Sequence, residues 1–335
     1  MNDHRITRRT ALRAGLGGGL ALLPLGTLPL GRAFAAYPDR PIKWIVPYAA
    51  GGGSDVIARL VSTGLSQRLG QSFVIDNRPG GATNIGAEAA AKSAPDGYTV
   101  LTADNGTLVF NPALFRKLPY DVDRDFRPVG LLARFQMLLA VTKEAPARSA
   151  RDFIGRARAI PRGINYGSAG IGSPHHLTMA RLARETGIEL THVPYRGIAP
   201  ALNDLLSGNV EAMVVDYAAG GEYLRSGQIR PLAVFSDTRI QGLPDVPTAQ
   251  EALDLRGFES YAWQGLVLPK RTPDAEAIRL STALAATLQD PATATRMRDI
   301  GVEPLPGGPD AFQSLLASER KIWVPLIREL GVSLD

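Results

Sequence analysis

The sequence predicts an α/β protein made of two doubly wound lobes joined by crossover strands. Three observations carry that expectation. An ordering of strand, Gly/Ser loop, helix, glycine, strand and Pro/Gly turn occurs twice, near residues 42–80 and again near 164–197. With 335 residues, the chain exceeds what one hydrophobic core usually organises. Two apolar segments, 129–141 and 261–268, are placed as an outward and a return crossing between lobes.

The elements follow in order. Ile42-Lys43-Trp44-Ile45-Val46 reads as the first strand. Residues 55–69 place Ile57, Leu60, Val61, Leu65 and Leu69 at helical spacing, and Gly70 stops that helix. Phe73-Val74-Ile75 is a second strand, 84–92 a helix and Tyr98-Thr99-Val100-Leu101 a third strand. A β-α-β-α-β order implies a parallel sheet. The pattern returns with a strand at Ile164-Asn165-Tyr166, a helix over 175–185 closed by Gly187, and a strand over 190–193. A helix over 199–206 closed by Gly208 and a strand over 212–215 complete it. The turns Asn77-Arg78-Pro79-Gly80 and Pro194-Tyr195-Arg196-Gly197 occupy equivalent places. A last helix over 310–330 aligns Phe312, Leu315, Leu316, Ile322, Trp323, Leu326 and Ile327 on one face, which must pack on a lobe. After a return crossing, that lobe is the first. The expected division is therefore a leader at 1–36, a first lobe of 37–137 with 262–335, and a second lobe of 138–261. Paired crossings make a hinge, which suits a clamp that closes.

Composition narrows the function. Apolar residues make up 45% and charged residues 21%, which argues against large-scale disorder. The chain has no cysteine, excluding disulfides, thiolate metal sites and a cysteine nucleophile. The net charge of +5 is concentrated at the start, where Arg5, Arg8, Arg9, Arg13 and Arg32 face only Asp3. The remainder is near neutral and has no Lys/Arg run to track phosphates, so it does not read as a nucleic-acid binder. Thr7-Arg8-Arg9-Thr10-Ala11-Leu12-Arg13 is a twin-arginine pattern, followed by a weakly apolar stretch and then Ala33-Phe34-Ala35. This order is that of a cleaved export signal. Cleavage is expected near Ala35-Ala36, giving a periplasmic protein that starts near Tyr37. Glycines and prolines at 17–29 argue against a spanning helix, and no later segment reaches the ~18 apolar residues one needs.

The chemistry centres on two loops. Pro47-Tyr48-Ala49-Ala50-Gly51-Gly52-Gly53-Ser54-Asp55 joins the first strand to the first helix. Glycines let the backbone approach a ligand, and a helix start offers unpaired N–H groups that bind anions without a cationic side chain. Ser54 or Asp55 could equally be a plain N-cap, but three consecutive glycines exceed what capping needs. Gly167-Ser168-Ala169-Gly170-Ile171-Gly172-Ser173 repeats the arrangement before the first helix of the second lobe. Facing each other across a cleft, two such loops would hold an anion from both sides. Asp216 ends a strand and either accepts a hydrogen bond from a ligand or caps the next helix. Asn77, Asn84 and Asn105 occupy similar strand-end or loop positions. Neither loop carries the lysine of a Walker A motif or the third glycine of a dinucleotide fingerprint, and Tyr166 breaks the G-x-S-x-G elbow around Ser168. Adjacent His175 and His176 cannot share one helix face, and they read as a polar pair at a helix start. His192 reads as a partly buried strand residue. No pattern calls for a cofactor or a metal. The competing class is an enzyme, either a serine-type hydrolase using Ser168 or Ser173 with His175 or a phosphate-ester enzyme.

These segments resemble one known family. Tyr37-Pro38-Asp39-Arg40-Pro41-Ile42, the 46–55 loop, Asn77-Arg78-Pro79-Gly80-Gly81 with Asn84-Ile85-Gly86, Pro95-Asp96-Gly97-Tyr98-Thr99 and Asp125-Phe126-Arg127-Pro128-Val129 carry the resemblance in the first half. Asn165-Tyr166-Gly167-Ser168-Ala169-Gly170, His192-Val193-Pro194-Tyr195-Arg196-Gly197 and Leu243-Pro244-Asp245-Val246-Pro247-Thr248 continue it. Together they are similar to the tripartite tricarboxylate transporter substrate-binding (Bug-type) proteins. The resemblance implies a periplasmic Venus-flytrap fold and the membrane subunits of a transporter as partner; a monomer without a catalytic role is expected. It also implies a carboxylate ligand, ranging over di- and tricarboxylates, amino acids and aromatic acids, held between the loops, often through waters. Tyr48, Gly52, Gly53, Ser54 and Asp55 would line one side, and Ser168, Gly170, Gly172 and Ser173 the other. Asp216 would lie near the far end of the ligand. Arg196 departs from the more usual lysine, and His175-His176 replaces a more variable pair. A sensor accessory that presents the ligand to a membrane receptor would have the same binding site.

Overall fold

The computed structural model describes residues 37–161 and 163–335. The twin-arginine pattern and the expected cleavage site lie outside the described residues. The chain opens with β1 (Ile42–Val46), α1 (Gly53–Leu69), β2 (Phe73–Asn77), α2 (Asn84–Ala91) and β3 (Thr99–Asp104). Short helices α3 (Asn111–Leu114) and α4 (Val122–Asp125) lead into β4 (Phe126–Thr142). There follow α5 (Ala150–Ala159), β5 (Ile164–Ser168), α6 (Pro174–Thr186), β6 (Leu190–Pro194), α7 (Ile198–Leu206), β7 (Ala212–Asp216), α8 (Tyr217–Arg225) and β8 (Ile229–Val234). The chain closes with α9 (Ala249–Leu253), β9 (Tyr261–Pro269), α10 (Asp274–Gln289), α11 (Pro291–Asp299), β10 (Glu303–Gly307) and α12 (Pro309–Glu329). No helix among the described residues is long and apolar enough to cross a membrane.

The strands run in the order β2-β1-β3-β9-β4-β7-β5-β6, with β10 and β8 both pairing with β4. β4 is the seam. Its 17 residues span about 55 Å at strand rise. Its first part pairs with β9 and β10, and its last part with β7 and β8. Each half is doubly wound. In the first half, α1 and α10 cover one face through Trp44, Ile57, Val61, Leu280 and Leu284. The other face holds Leu101, Phe110, Trp263, Phe312 and Trp323, with α12 packed where the sequence places it. In the second half, Met137, Phe153, Met179 and Phe235 fill one side, and Leu138, Leu205, Met213 and Leu224 the other.

Two features differ from the expected parallel sheets. The pairs β1–β2, β1–β3, β5–β6 and β5–β7 are parallel, but β9, β10, β7 and β8 all run antiparallel to β4. A chain that leaves one half on β4 and returns on β9 must pair those strands head to tail. Helix α1 also starts two residues early, at Gly53, because the last glycine of the loop already takes helical angles. Gly70 ends it as expected, at φ 71° with its N–H on the Ser66 carbonyl.

Candidate functional site

The first loop is held open by its own side chains. Gly51 sits at φ +80°, a conformation that favours glycine. Its N–H donates to Asp55 Oδ2 at 2.9 Å, and Arg59 Nε donates to the same oxygen at 2.9 Å. Asn77 Nδ2 bridges Asp55 Oδ1 (3.0 Å) and the Tyr48 carbonyl (3.1 Å). The hydrogen bond from Arg59 comes first among the causes that hold the Asp55 carboxyl down at about 2. The Tyr48 hydroxyl donates to Asp104, whose other oxygen receives the N–H and hydroxyl of Thr107. Burial, with the Asp104 carboxylate beside it, pushes the Tyr48 phenol up, so it remains a donor. Within α1, Val56 N–H donates to the Gly52 carbonyl at 3.0 Å. The N–H groups of Gly53, Ser54 and Asp55 precede it and have no intrahelical acceptor. Gly52, the N-cap, supplies no side chain to take them. Gln264 Nε2 on β9 donates to Ser54 Oγ. A Cβ at Gly53 would stand 3.7 Å from the Phe135 ring on β4. The first helix start therefore rests directly on both crossing strands.

Helix α6 starts differently. Gly170 N–H donates to Ser168 Oγ (3.1 Å), Gly172 N–H to His176 Nδ1 (3.1 Å), and Ser173 N–H to the Gly170 carbonyl (3.1 Å). Ser173 Oγ caps His176 N–H at 3.3 Å, and Pro174 brings no N–H. Ile171 N–H and His175 N–H, which precedes the Leu177-to-Ser173 bond, have no acceptor among the described residues. The glycines at φ +135° and +74° allow this tight turn. Ser168 is fully buried, with its Oγ also 2.7 Å from His192 Nε2. Asp216 Oδ1 caps Ala219 N–H at 2.8 Å, and Oδ2 lies 3.2 Å from His175 Nε2. Of the two readings open for Asp216, its side chain follows the helix cap.

Several expected ligand contacts are thus committed inside the protein. The carboxylates of Asp55 and Asp216, the hydroxyl of Ser168, and the N–H groups of Gly170, Gly172 and Ser173 all have protein partners. The first turn keeps three amides without an acceptor and the second keeps two, because α6 spends its own donors on closing its loop. Neither Ser168 nor Ser173 is hydrogen-bonded to His175, so the hydrolase pairing is not formed. Arg196 is exposed on the turn after β6.

The start of α1 and the end of β7 reach the same part of β4. Gly53 borders Phe135, while Asp216 stands opposite Met137 in the β4–β7 register. Two residues along a strand span about 6.6 Å. The start of α1 and the Asp216–His175 start of α8 and α6 therefore border one short stretch, residues 135–137. Three buried polar atoms on or near these strands have no protein partner: Gln136 Oε1, on the face of β4 opposite Phe135, Gln264 Oε1 on β9, and His175 Nδ1. The Gln136 amide is oriented by Glu303, which takes its Nε2 at 2.9 Å, so an acceptor is what remains. These glutamines and Phe135 went unread in the sequence. The available signal was the interruption of two apolar crossing segments by polar residues, Arg134 and Gln136 in the first and Gln264 in the second. Among the described residues, no group of His, Cys, Asp or Glu side chains gathers to hold a metal ion. The arrangement offers backbone amides and a hydroxyl that can donate to a small polar anion, beside glutamine oxygens that can only accept.

A replacement tests the pinning of the first turn. Asp55→Ala would remove the buried carboxylate that takes Gly51 N–H, the Asn77 amide and Arg59 Nε, at a cost of about 1.5–3 kcal/mol, the range for hydrogen bonds to a charged group. We expect a lower Tm and weaker carboxylate binding together. An unchanged Tm by calorimetry would contradict this role.

Comparison with known proteins identifies the family. The profile of the family described as "Tripartite tricarboxylate transporter family receptor" matches residues 57–332. A UPF0065 protein from the tcbD-tcbE intergenic region of Pseudomonas sp. (strain P51) is 36% identical over 317 residues, covering 95% of this chain and 94% of the relative. Protein BugT of Bordetella pertussis is 33% identical over 299 residues, 89% of this chain and 91% of its own. Among solved structures, Rhodopseudomonas palustris Rpa4515 with adipate superposes with a TM-score of 0.79 at 38% identity, covering 89% of this chain and 99% of that one. MatC from the same organism, with bound malate, gives 0.74 at 32% identity over 87% and 100%. The chain belongs to the tripartite tricarboxylate transporter receptor family of periplasmic solute-binding proteins.

Proposed function

We propose that this protein captures a small dicarboxylate or related carboxylate between two lobes and hands it to the membrane subunits of a tripartite transporter, without transforming it. The observation that carries this reading is the convergence of two helix starts on residues 135–137 of β4. In the proposal the lobes are 37–137 with 262–335, and 138–261, and the crossing strands β4 and β9 are the hinge. One carboxylate of the ligand meets the amides of Gly53, Ser54 and Asp55 and the Ser54 hydroxyl, with Tyr48 and Gly52 shaping that wall. Ile171 and His175 N–H approach from the other lobe, in the turn built by Ser168, Gly170, Gly172 and Ser173. Asp216 acts through His175. Each charge-assisted hydrogen bond contributes roughly 1.5–3 kcal/mol, so a handful accounts for the ~8 kcal/mol of micromolar binding after ordering costs. Adipate and malate, bound by the two neighbours, are the first candidates. Twin-arginine export, with removal of the first 35 or 36 residues, belongs to the same proposal.

Native mass spectrometry of protein recovered from the periplasm reads both parts at once, giving the processed mass and any acid that co-purifies. Thermal shift then ranks ligands, because a ligand at 100 times its Kd stabilises by about 2.7 kcal/mol. We expect adipate or malate to raise the Tm, and Ser54→Pro, which removes one amide and one hydroxyl, to abolish the shift. Ester turnover lost in Ser168→Ala, with no shift from any carboxylate, would replace this reading with a hydrolase.

A further inference from the structure

The second turn stands on a pair of stacked histidines. The His176 and His192 rings lie 4.0 Å apart at an interplanar angle of 7°, and Tyr166 stacks on the far side of His192 at 4.9 Å. His176 is 6% exposed. Its Nδ1 receives the Gly172 N–H, and a backbone N–H can only donate. His176 must therefore be unprotonated at Nδ1 and carry its proton on Nε2. We infer that His176, buried against His192 and neutral, is a positioning residue for ligand binding: its Nδ1 fixes Gly172 and so aims the Ile171 and His175 amides at a carboxylate. This rests on the carboxylate reading above and adds a residue and a tautomer to it.

The surroundings favour the neutral ring. From β5, Tyr166 and Ser168 face His192, and the Tyr166 phenol is pushed up by burial, so it stays uncharged. From β6 comes His192 itself, and two protonated rings stacked at this distance would repel. From α6 and β7 comes the His175–Asp216 pair. From the first half, Leu114 and Leu334 approach Gly172, with Arg116 and Asp335 beside them. Burial, then the neighbouring His192, lowers His176 to about 4, and burial lowers His192 to about 4. Adding a proton to His176 Nδ1 would set two donors against each other and release Gly172. The neutral state thus holds above about pH 4, and acid undoes the turn.

The test uses adipate as probe, titrated calorimetrically at pH 7.5, 5.5 and 3.5 against wild type, His176→Asn and His176→Leu, with circular dichroism checking the fold at each pH. Asn places an oxygen where Nδ1 stood and does not titrate. We expect His176→Leu to bind about tenfold more weakly at pH 7.5, the effect of one lost buried hydrogen bond, and His176→Asn to recover most of that. Protonation of adipate weakens both proteins alike, so the ratio of wild type to Asn variant isolates the ring. That ratio should fall several-fold between pH 5.5 and 3.5. A constant ratio overturns the proposal even if the Leu variant fails to fold. Wild type that binds no adipate, malate or other carboxylate at pH 7.5 defeats the carboxylate reading itself. A second readout needs no ligand. Long-range ¹H–¹⁵N spectra should show His176 as the Nε2–H tautomer, still neutral at pH 5.5, whereas an Nδ1–H tautomer or titration near 6.5 contradicts the assignment.

Discussion

Trp263→Ala should destabilise the protein by about 3–5 kcal/mol, the range for removing a fully buried tryptophan. Trp263 lies on β9 opposite Arg134 of β4, has no exposed surface, and meets the Phe312 ring edge-on at 5.5 Å. Its indole N–H donates to Glu319 Oε2 at 3.1 Å, and Trp323 donates to the same oxygen at 3.0 Å. The alanine variant therefore leaves a cavity beside the crossing strand and also a buried carboxylate with one donor fewer. Trp263→Phe separates the two effects, since it refills most of the volume and loses only the donor. Burial raises the Glu319 carboxyl despite both indoles, which act in the opposite direction. A carboxyl raised in the folded state stabilises most below its ordinary value of about 4.5, and that contribution is lost as pH rises through the folded value. Trp263→Phe raises it further. Its deficit should accordingly be larger at pH 7.5 than at pH 5, and Glu319→Gln in the same background should flatten the difference. Urea unfolding at the two pH values decides this, and equal deficits at both would show that the carboxylate is not the cause.

The contrast between Trp263 and its neighbour Gln264 shows how far the sequence could be read. Both lie in an apolar segment that reads as a crossing strand, and it is one. Nothing local shows that Trp263 turns toward α12 while Gln264 turns toward Ser54, because that follows from alternation in a strand whose partner is 130 residues earlier in the chain. The doubly wound halves were legible because each βα unit carries its own period and its own stopping glycine. The antiparallel β8 and β10 were not. Pro231 interrupts β8, and β10 reads Glu-Pro-Leu-Pro-Gly, a composition that suits a loop unless β4 is already there to pair with. Both glycine turns were legible as helix starts with spare amides. Their inequality was not, since it depends on His176 reaching back to Gly172 and on Asp55 reaching back to Gly51. The His192 partnership was equally out of reach, because stacking with His176 requires β6 and the start of α6 to be adjacent in space.

Gly172→Val should weaken carboxylate binding by about a hundredfold. Gly172 sits at φ +74°, and a Cβ there would fall 2.7 Å from Leu114 Cδ1 and 3.5 Å from Leu334 Cδ1. Those side chains belong to α3 and the C-terminal segment, which are tied together by Leu334 N–H on the Leu114 carbonyl at 2.9 Å. A left-handed backbone costs roughly 1–2 kcal/mol for a residue with a Cβ, and more for a branched one. The steric part of the penalty falls on the arrangement in which the second turn touches the first half. If that arrangement is the one that holds ligand, its reduced population divides the affinity directly, and about 2.7 kcal/mol is a factor of a hundred. The two causes separate in a pair of further variants. Gly172→Ala keeps both the strained φ and the contact with Leu114, while Gly172→Ala with Leu114→Ala keeps only the strain. Affinity regained in the double variant measures the contact between halves, and what is still missing measures the backbone. Small-angle scattering adds the geometric reading, because a valine that holds the halves apart should enlarge the ligand-bound form and leave the circular dichroism of each half intact. A Gly172→Val protein that is folded and binds adipate as tightly as wild type would remove the second turn from the binding site.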